Sequence, residues 1–166
     1  MSFQERKADF TTHHIEGIAV QGNTPFSCPL ITQIDDNFWQ GGCEHGVSLE
    51  GYFKHIISLY PWERFNPAGE LDSFTEVRLY DGKQVPDEGQ LHMLADWINF
   101  CRGHGRTLVH CQAGLNRSGL FAGLALVKQG MEPAAAIQKL RESRSPAVLC
   151  NKVFEAWLLK QNGGTT

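Results

Sequence analysis

Apolar positions recur along this chain with two rhythms, and each predicts a different kind of element. Ile31-Thr32-Gln33-Ile34 and Phe38-Trp39-Gln40-Gly41-Gly42 read as two short strands joined by Asp35-Asp36-Asn37, a turn-forming cluster. His55-Ile56-Ile57-Ser58-Leu59-Tyr60 reads as a buried strand stopped by Pro61, and Val77 to Tyr80 as the next strand, broken by Asp81-Gly82. A helix is expected from about Pro86 to Arg102, because Leu91, Leu94, Trp97, Ile98 and Cys101 recur at spacings of three and four. Leu108-Val109 then leads as a strand into His110-Cys111, and the apolar run Leu120 to Val127 reads as a buried helix closed by Gly130. Two further helices follow. Pro133 to Arg144 turns Ala136, Ile137 and Leu140 inward, and Asn151 to Gln161 buries Val153, Phe154, Trp157 and Leu158. A short helix at Leu49 to Lys54 and a short strand within Ile15 to Val20 complete the expectation.

Alternating strands and helices make the fold class α/β. Residues 1–30 are expected as an N-terminal arm packed on the domain, 31–160 as one catalytic-sized domain, and 161–166 as a frayed tail. At 166 residues, with 42% apolar and 20% charged positions, the chain suits one ordinary globular domain. A net charge of −3 supplies no global basic field for nucleic acid or an anionic membrane, although a local positive cup is compatible with it. No apolar run approaches the roughly 20 residues of a membrane span. The mixed-charge start, Met1 to Lys7, is unlike a secretory signal. Five scattered cysteines without a Cys-x2-Cys pair suit reduced thiols in a cytoplasm better than disulfides or a zinc site. The histidines lack ligand spacing, and His13-His14 is expected in solvent. No metal or cofactor is expected.

The densest chemistry lies in Thr107 to Gly119. Between Cys111 and Arg117 runs a five-residue loop, Gln112 to Asn116, placed between a strand and a helix. Such a loop can turn several backbone N–H groups into one concavity suited to a tetrahedral oxyanion. Gly114 permits a backbone conformation that a Cβ would obstruct. Arg117 adds a fork of donors able to grip two phosphate oxygens. Cys111 would lie at the bottom of the cup, where those donors and the positive helix end favour a thiolate.

His110-Cys111, Gly114 and Arg117-Ser118-Gly119 together resemble the signature of cysteine-dependent protein tyrosine and dual-specificity phosphatases. Ile31 to Gly42 resembles the opening strands of dual-specificity domains. The resemblance spans roughly Ile31 to Leu159 and implies a mostly parallel central sheet flanked by helices. It implies Cys111 as nucleophile and Gln112, Ala113, Gly114, Leu115, Asn116 and Arg117 as the phosphate site. Ser118 is implied as the hydroxyl beside the sulfur, although a first-turn serine also suits helix capping. The general acid is implied to be an aspartate on a mobile loop upstream of the long helix. Asp81 is favoured. Asp87 competes, since Val85-Pro86-Asp87 parallels the Trp-Pro-Asp of tyrosine-specific relatives, but its place suits helix capping. His110 is expected to orient the loop rather than act as a base. Trp62, Arg64 and Phe65, in the loop from Pro61 to Ser73, are candidate cleft walls.

The expected activity is hydrolysis of protein phosphotyrosine, with phosphoserine and phosphothreonine as further substrates, through a cysteinyl-phosphate. The partner is then a phosphorylated protein, with neither nucleic acid nor membrane. Uncharged Gln112, Leu115 and Asn116 speak against phosphoinositides, whose phosphatases carry lysines there. Asn116-Arg117-Ser118 keeps an RNA 5′-triphosphatase-like alternative open. A non-catalytic phosphate-binding module and a rhodanese-type sulfurtransferase are the other readings. Any of Cys43, Cys101 and Cys150 within disulfide reach of Cys111 would be a redox partner.

Overall fold

The computed structural model describes residues 5–12, 14–15, 19–21, 24–26 and 28–162; in the strands at Phe38–Gly41, His55–Ser58 and Thr107–His110, successive residues point to opposite faces and both faces are buried. The strands are β1 (His14–Ile15), β2 (Ala19–Gln21), β3 (Thr24–Phe26), β4 (Ile31–Asp35), β5 (Phe38–Gly41), β6 (His55–Ser58), β7 (Ser73–Glu76) and β8 (Thr107–His110). The helices are α1 (Glu88–Arg102), α2 (Arg117–Lys128), α3 (Pro133–Ser143) and α4 (Lys152–Leu159). β2 and β3 form a separate antiparallel pair. The six-stranded central sheet runs in the order β1-β4-β5-β8-β6-β7. β5, β8, β6 and β7 are mutually parallel, while β1–β4 and β4–β5 are antiparallel. The chain is thus an α/β domain with a mostly parallel sheet.

Phe38, Ile57 and Val109 join the core formed with all four helices. Their strand neighbours Trp39, Ile56 and Leu108 face the other way, into a second core closed by Ala8, Phe10, Val47, Leu49, Phe53 and Phe65. The N-terminal segment belongs to this second core. Phe10 stacks on Tyr52 at 4.1 Å and meets Trp39 edge-on at 5.7 Å.

Three expected elements differ. Leu49 to Lys54 is a turn rather than a helix, because Glu50 (φ 53°) and Gly51 (φ 67°) are left-handed. The buried pair Leu49 and Phe53 imitates helical spacing there. The strand expected at Val77–Tyr80 lies four residues earlier, at Ser73–Glu76. Its parallel partner β6 runs out at Ser58, whose carbonyl takes the last bond, from Val77 N at 2.8 Å. Beyond that point Leu59 N donates to the His110 carbonyl instead. The segment expected at Ile15–Val20 holds the end of β1 and the start of β2; residues 16–18, like His13 and the tail from Gly163, lie outside the described residues.

Candidate active site

The end of β8 delivers His110 and Cys111 to the C-terminal edge of the parallel strands, and α2 starts at Arg117. The intervening loop folds around the sulfur. Gly114 N donates to Cys111 Sγ at 3.3 Å, and Ser118 Oγ lies 3.4 Å from it. The Ser118 hydroxyl accepts a bond from Gln40 Nε2 at 3.1 Å, which leaves its own proton free to point at the sulfur. The N-cap position of α2 is Asn116, and Ser118 lies inside the first turn. A cavity of about 380 Å³ opens above Cys111, lined by Asp81, Gln112, Ala113, Leu115, Asn116 and Arg117.

Arg117 is buried, with Nη1 donating to the Leu79 carbonyl at 3.0 Å and its guanidinium 5.2 Å from the Tyr60 ring centre. Its Nε is buried without a protein partner, a donor that a phosphate oxygen in the cavity would satisfy. Tyr60 continues an aromatic row. Trp62 lies 5.0 Å from Tyr60, and the exposed Tyr80 lies 5.8 Å from Trp62.

Two side chains behind the cup escaped the sequence reading. Arg144, buried at the end of α3, donates to the carbonyls of Gly114 (2.7 Å), Ala113 (3.1 Å) and Leu30 (3.3 Å) and to Thr32 Oγ1 (3.0 Å). Burial pushes the pKa of this guanidinium down, while the four acceptors take up its buried N–H groups. Gln40 donates to the Gly114 carbonyl at 3.1 Å as well as to Ser118. Its one sequence signal was a polar residue inside a strand buried on both faces.

Asp81 and Asp87 separate cleanly. Asp81 lines the cavity with Cys111, while Asp87 caps α1, its Oδ2 accepting from Gln90 N at 3.0 Å. Asp81 Oδ2 accepts from Asn116 Nδ2 at 2.8 Å, and Oδ1 from Asn151 Nδ2 at 2.7 Å. Of the three wall candidates, Trp62 remains half-exposed near the cup. Arg64 is drawn into a two-pronged pair with Glu76 (3.0 and 2.8 Å), and Phe65 is buried edge-on against His110. Burial above all, with the Glu63 carboxylate adding to it, pushes the Cys43 thiol strongly up. Cys150 contacts Asn116. Among the described residues no cluster of three or more histidine, cysteine or acidic side chains is placed to hold a metal ion.

His110 is fully buried, and desolvation pushes its ring down to about 4 from 6.5. A neutral ring with Nδ1 3.3 Å from the Cys111 carbonyl must donate to it, since a carbonyl only accepts. The unfolded chain takes up this proton first as pH falls. The stabilisation is therefore complete above about pH 6.5 and is lost on the way down to about pH 4. Urea unfolding between pH 7 and 4 should show a loss of at most roughly 3 kcal/mol from this ring, absent in His110→Asn. Parallel pH curves for the two proteins would refute the assignment.

The dual specificity phosphatase catalytic domain matches residues 44–163, and the chain belongs to that family. The class is that of the cysteine-dependent protein tyrosine and dual-specificity phosphatases, which are hydrolases. Human protein tyrosine phosphatase type IVA 3 is 34% identical over 85 residues, covering 48% of this chain and 48% of that protein. Its bovine counterpart matches at 34% over 85 residues. The chain thus spans about half the length of the curated relatives it matches. The crystal structure of human DUSP28 superposes with a TM-score of 0.65 at 16% identity, over 80% of this chain and 92% of that one. OH1 from the Orf virus, described as a tyrosine phosphatase, gives 0.62 at 21% identity over 81% and 87%. At such identities the likeness is one of fold. No helix among the described residues is long and apolar enough to cross a membrane.

Proposed function

We propose that this protein hydrolyses phosphate monoesters, protein phosphotyrosine foremost with phosphoserine and phosphothreonine as further substrates, through a cysteinyl-phosphate. The observation that carries the reading is one cavity holding Cys111 Sγ, the Arg117 fork and the Asp81 carboxyl. The sulfur lone pair forms an S–P bond while the P–O bond to the leaving group breaks. Asp81, protonated, gives its proton to that oxygen. Water then attacks phosphorus and gives a proton back to Asp81, and the S–P electrons return to Cys111, whose thiolate takes the Ser118 hydroxyl bond. Backbone N–H groups of Gln112 to Asn116 and the Arg117 fork hold the non-bridging oxygens throughout. The aromatic row Tyr60, Trp62 and Tyr80 beside Arg117 supports a preference for aryl phosphate, since a flat ring stacks there and an alkyl chain does not. We place the catalytic domain at residues 31–160 and, on its five free thiols, the protein in the reducing cytoplasm.

Phosphate release from matched phosphotyrosine and phosphothreonine peptides, with chelator present, tests this. Wild type should turn over both and favour phosphotyrosine. Asp81→Asn should lose roughly 10²–10⁴-fold in kcat, the usual worth of a positioned acid. Absence of release from either peptide, with phosphate still bound, would make the chain a phosphate-binding module.

A further inference from the structure

The Asp81 loop has no strand ladder to hold it, because β7 ends at Glu76 and residues 77–85 are irregular. Arg117 Nη1 holds the loop at the Leu79 carbonyl, and the Asp81-Gly82 end is held by amide chemistry from two distant segments. Asn116 is the N-cap residue of α2, yet its side chain makes no cap bond and instead donates to Asp81. Asn151 has every polar group engaged. Its Oδ1 accepts from Val153 N (3.0 Å) and Phe154 N (3.3 Å), capping α4. Its backbone N donates to Asn116 Oδ1 at 2.8 Å. Its Nδ2 donates to Asp81 Oδ1 at 2.7 Å and to the Gly82 carbonyl at 2.9 Å.

The cap fixes which end of the Asn151 amide faces α4, so the NH2 end is obliged to face Asp81. Capping alone does not call for asparagine here, since serine or aspartate would accept the same N–H bonds. The donor end is the part that capping leaves unexplained. It grips side chain and backbone of the Asp81-Gly82 pair together, next to a glycine with open space around it.

We propose that Asn151 is a positioning residue for the reaction: its Nδ2 tethers the Asp81-Gly82 segment to the N-terminus of α4 and so sets the direction from which Asp81 protonates the leaving oxygen. The inference rests on the reading of Asp81 as the general acid. It makes Asn151 act through Asp81 without touching substrate.

The test uses Asn151→Ser, which retains a cap acceptor and removes the donor, with two substrates of one shape but different need for an acid. 4-Nitrophenyl phosphate expels a stable anion. Phenyl phosphate expels a poorer one that depends on protonation. Asn151→Ser should lose roughly tenfold to a hundredfold in kcat on phenyl phosphate, as expected of a misplaced catalytic group, and much less on 4-nitrophenyl phosphate, with KM held on both. Added to Asp81→Asn, it should cost nothing further, because the two act as one unit. Asn151→Asp, which keeps the cap and sets a second carboxylate against Asp81, should repeat the selective loss and serves if the serine variant folds poorly. Equal losses on both substrates, or an additive loss in the Asp81→Asn background, would overturn the positioning role. If Asp81→Asn shows a leaving-group-dependent loss and the Asn151 variants show none, the positioning role alone falls. If Asp81→Asn shows none, the general-acid reading falls and takes this inference with it.

Discussion

Replacing Cys111 by serine is expected to lower phosphate release by at least roughly a thousandfold, since the nucleophile and its partners act as a unit whose loss is not made good elsewhere. The reason is local. The sulfur accepts from Gly114 N at 3.3 Å and faces Ser118 Oγ at 3.4 Å, surroundings that stabilise an anion on sulfur. A serine hydroxyl is far less acidic than the thiol it replaces and is a weak nucleophile unless a base activates it. The nearest imidazole, His110, is buried, and its Nδ1 is committed to the Cys111 carbonyl. Oxyanion binding should survive the change, because Arg117 and the loop N–H groups stay in place. Phosphate release measured beside calorimetric titration with tungstate separates the two. Turnover within tenfold of wild type would remove Cys111 from the mechanism.

Gly114→Ala should be the most damaging single methyl in the loop. At φ +76°, any side chain is strained, by about 1–2 kcal/mol. A Cβ there would also stand 2.4 Å from Arg144 Nη2 and 2.5 Å from both Gly41 C and Gly42 N. Two of those three atoms are backbone and cannot swing away. The third belongs to the guanidinium that binds the Gly114 and Ala113 carbonyls. Relief of the clash therefore displaces the cup itself. Together with overpacking, the expected loss is about 3 kcal/mol or more by urea unfolding. Phosphate release should be abolished even where the protein stays folded, because Gly114 N–H no longer points at the sulfur. Wild-type stability and turnover in this variant would show that the loop is far more compliant than its contacts imply.

Much of the architecture was legible because short-range chemistry dictates it. The turn at Asp35–Asn37, the apolar stripe Leu91–Leu94–Ile98–Cys101 and the stop at Gly130 each depend on residues a few positions apart. The misplaced strand illustrates the opposite case. Val77–Tyr80 has the better strand composition, but a parallel strand exists only where its neighbour offers a ladder, and β6 ends at Ser58. The turn at Leu49–Lys54 fails as a helix for a similar reason. Its buried pair Leu49 and Phe53 is satisfied by a second core that the sequence pattern cannot display.

The sequence by itself determined the reactive stretch: a cysteine, a five-residue loop with one obligatory glycine, an arginine and a serine, all within one strand–loop–helix turn. Proximity along the chain makes such a cup local, and its chemistry is therefore written in one place. The tertiary structure decided everything that reaches this cup from afar. Gln40, Arg144 and Asn151 stand 74, 30 and 70 positions from the groups they bind, and no spacing rule joins them. It also separated Asp81, which the sequence favours, from its competitor Asp87. One is carried to the cavity wall by the irregular segment after β7, and the other is consumed in starting α1.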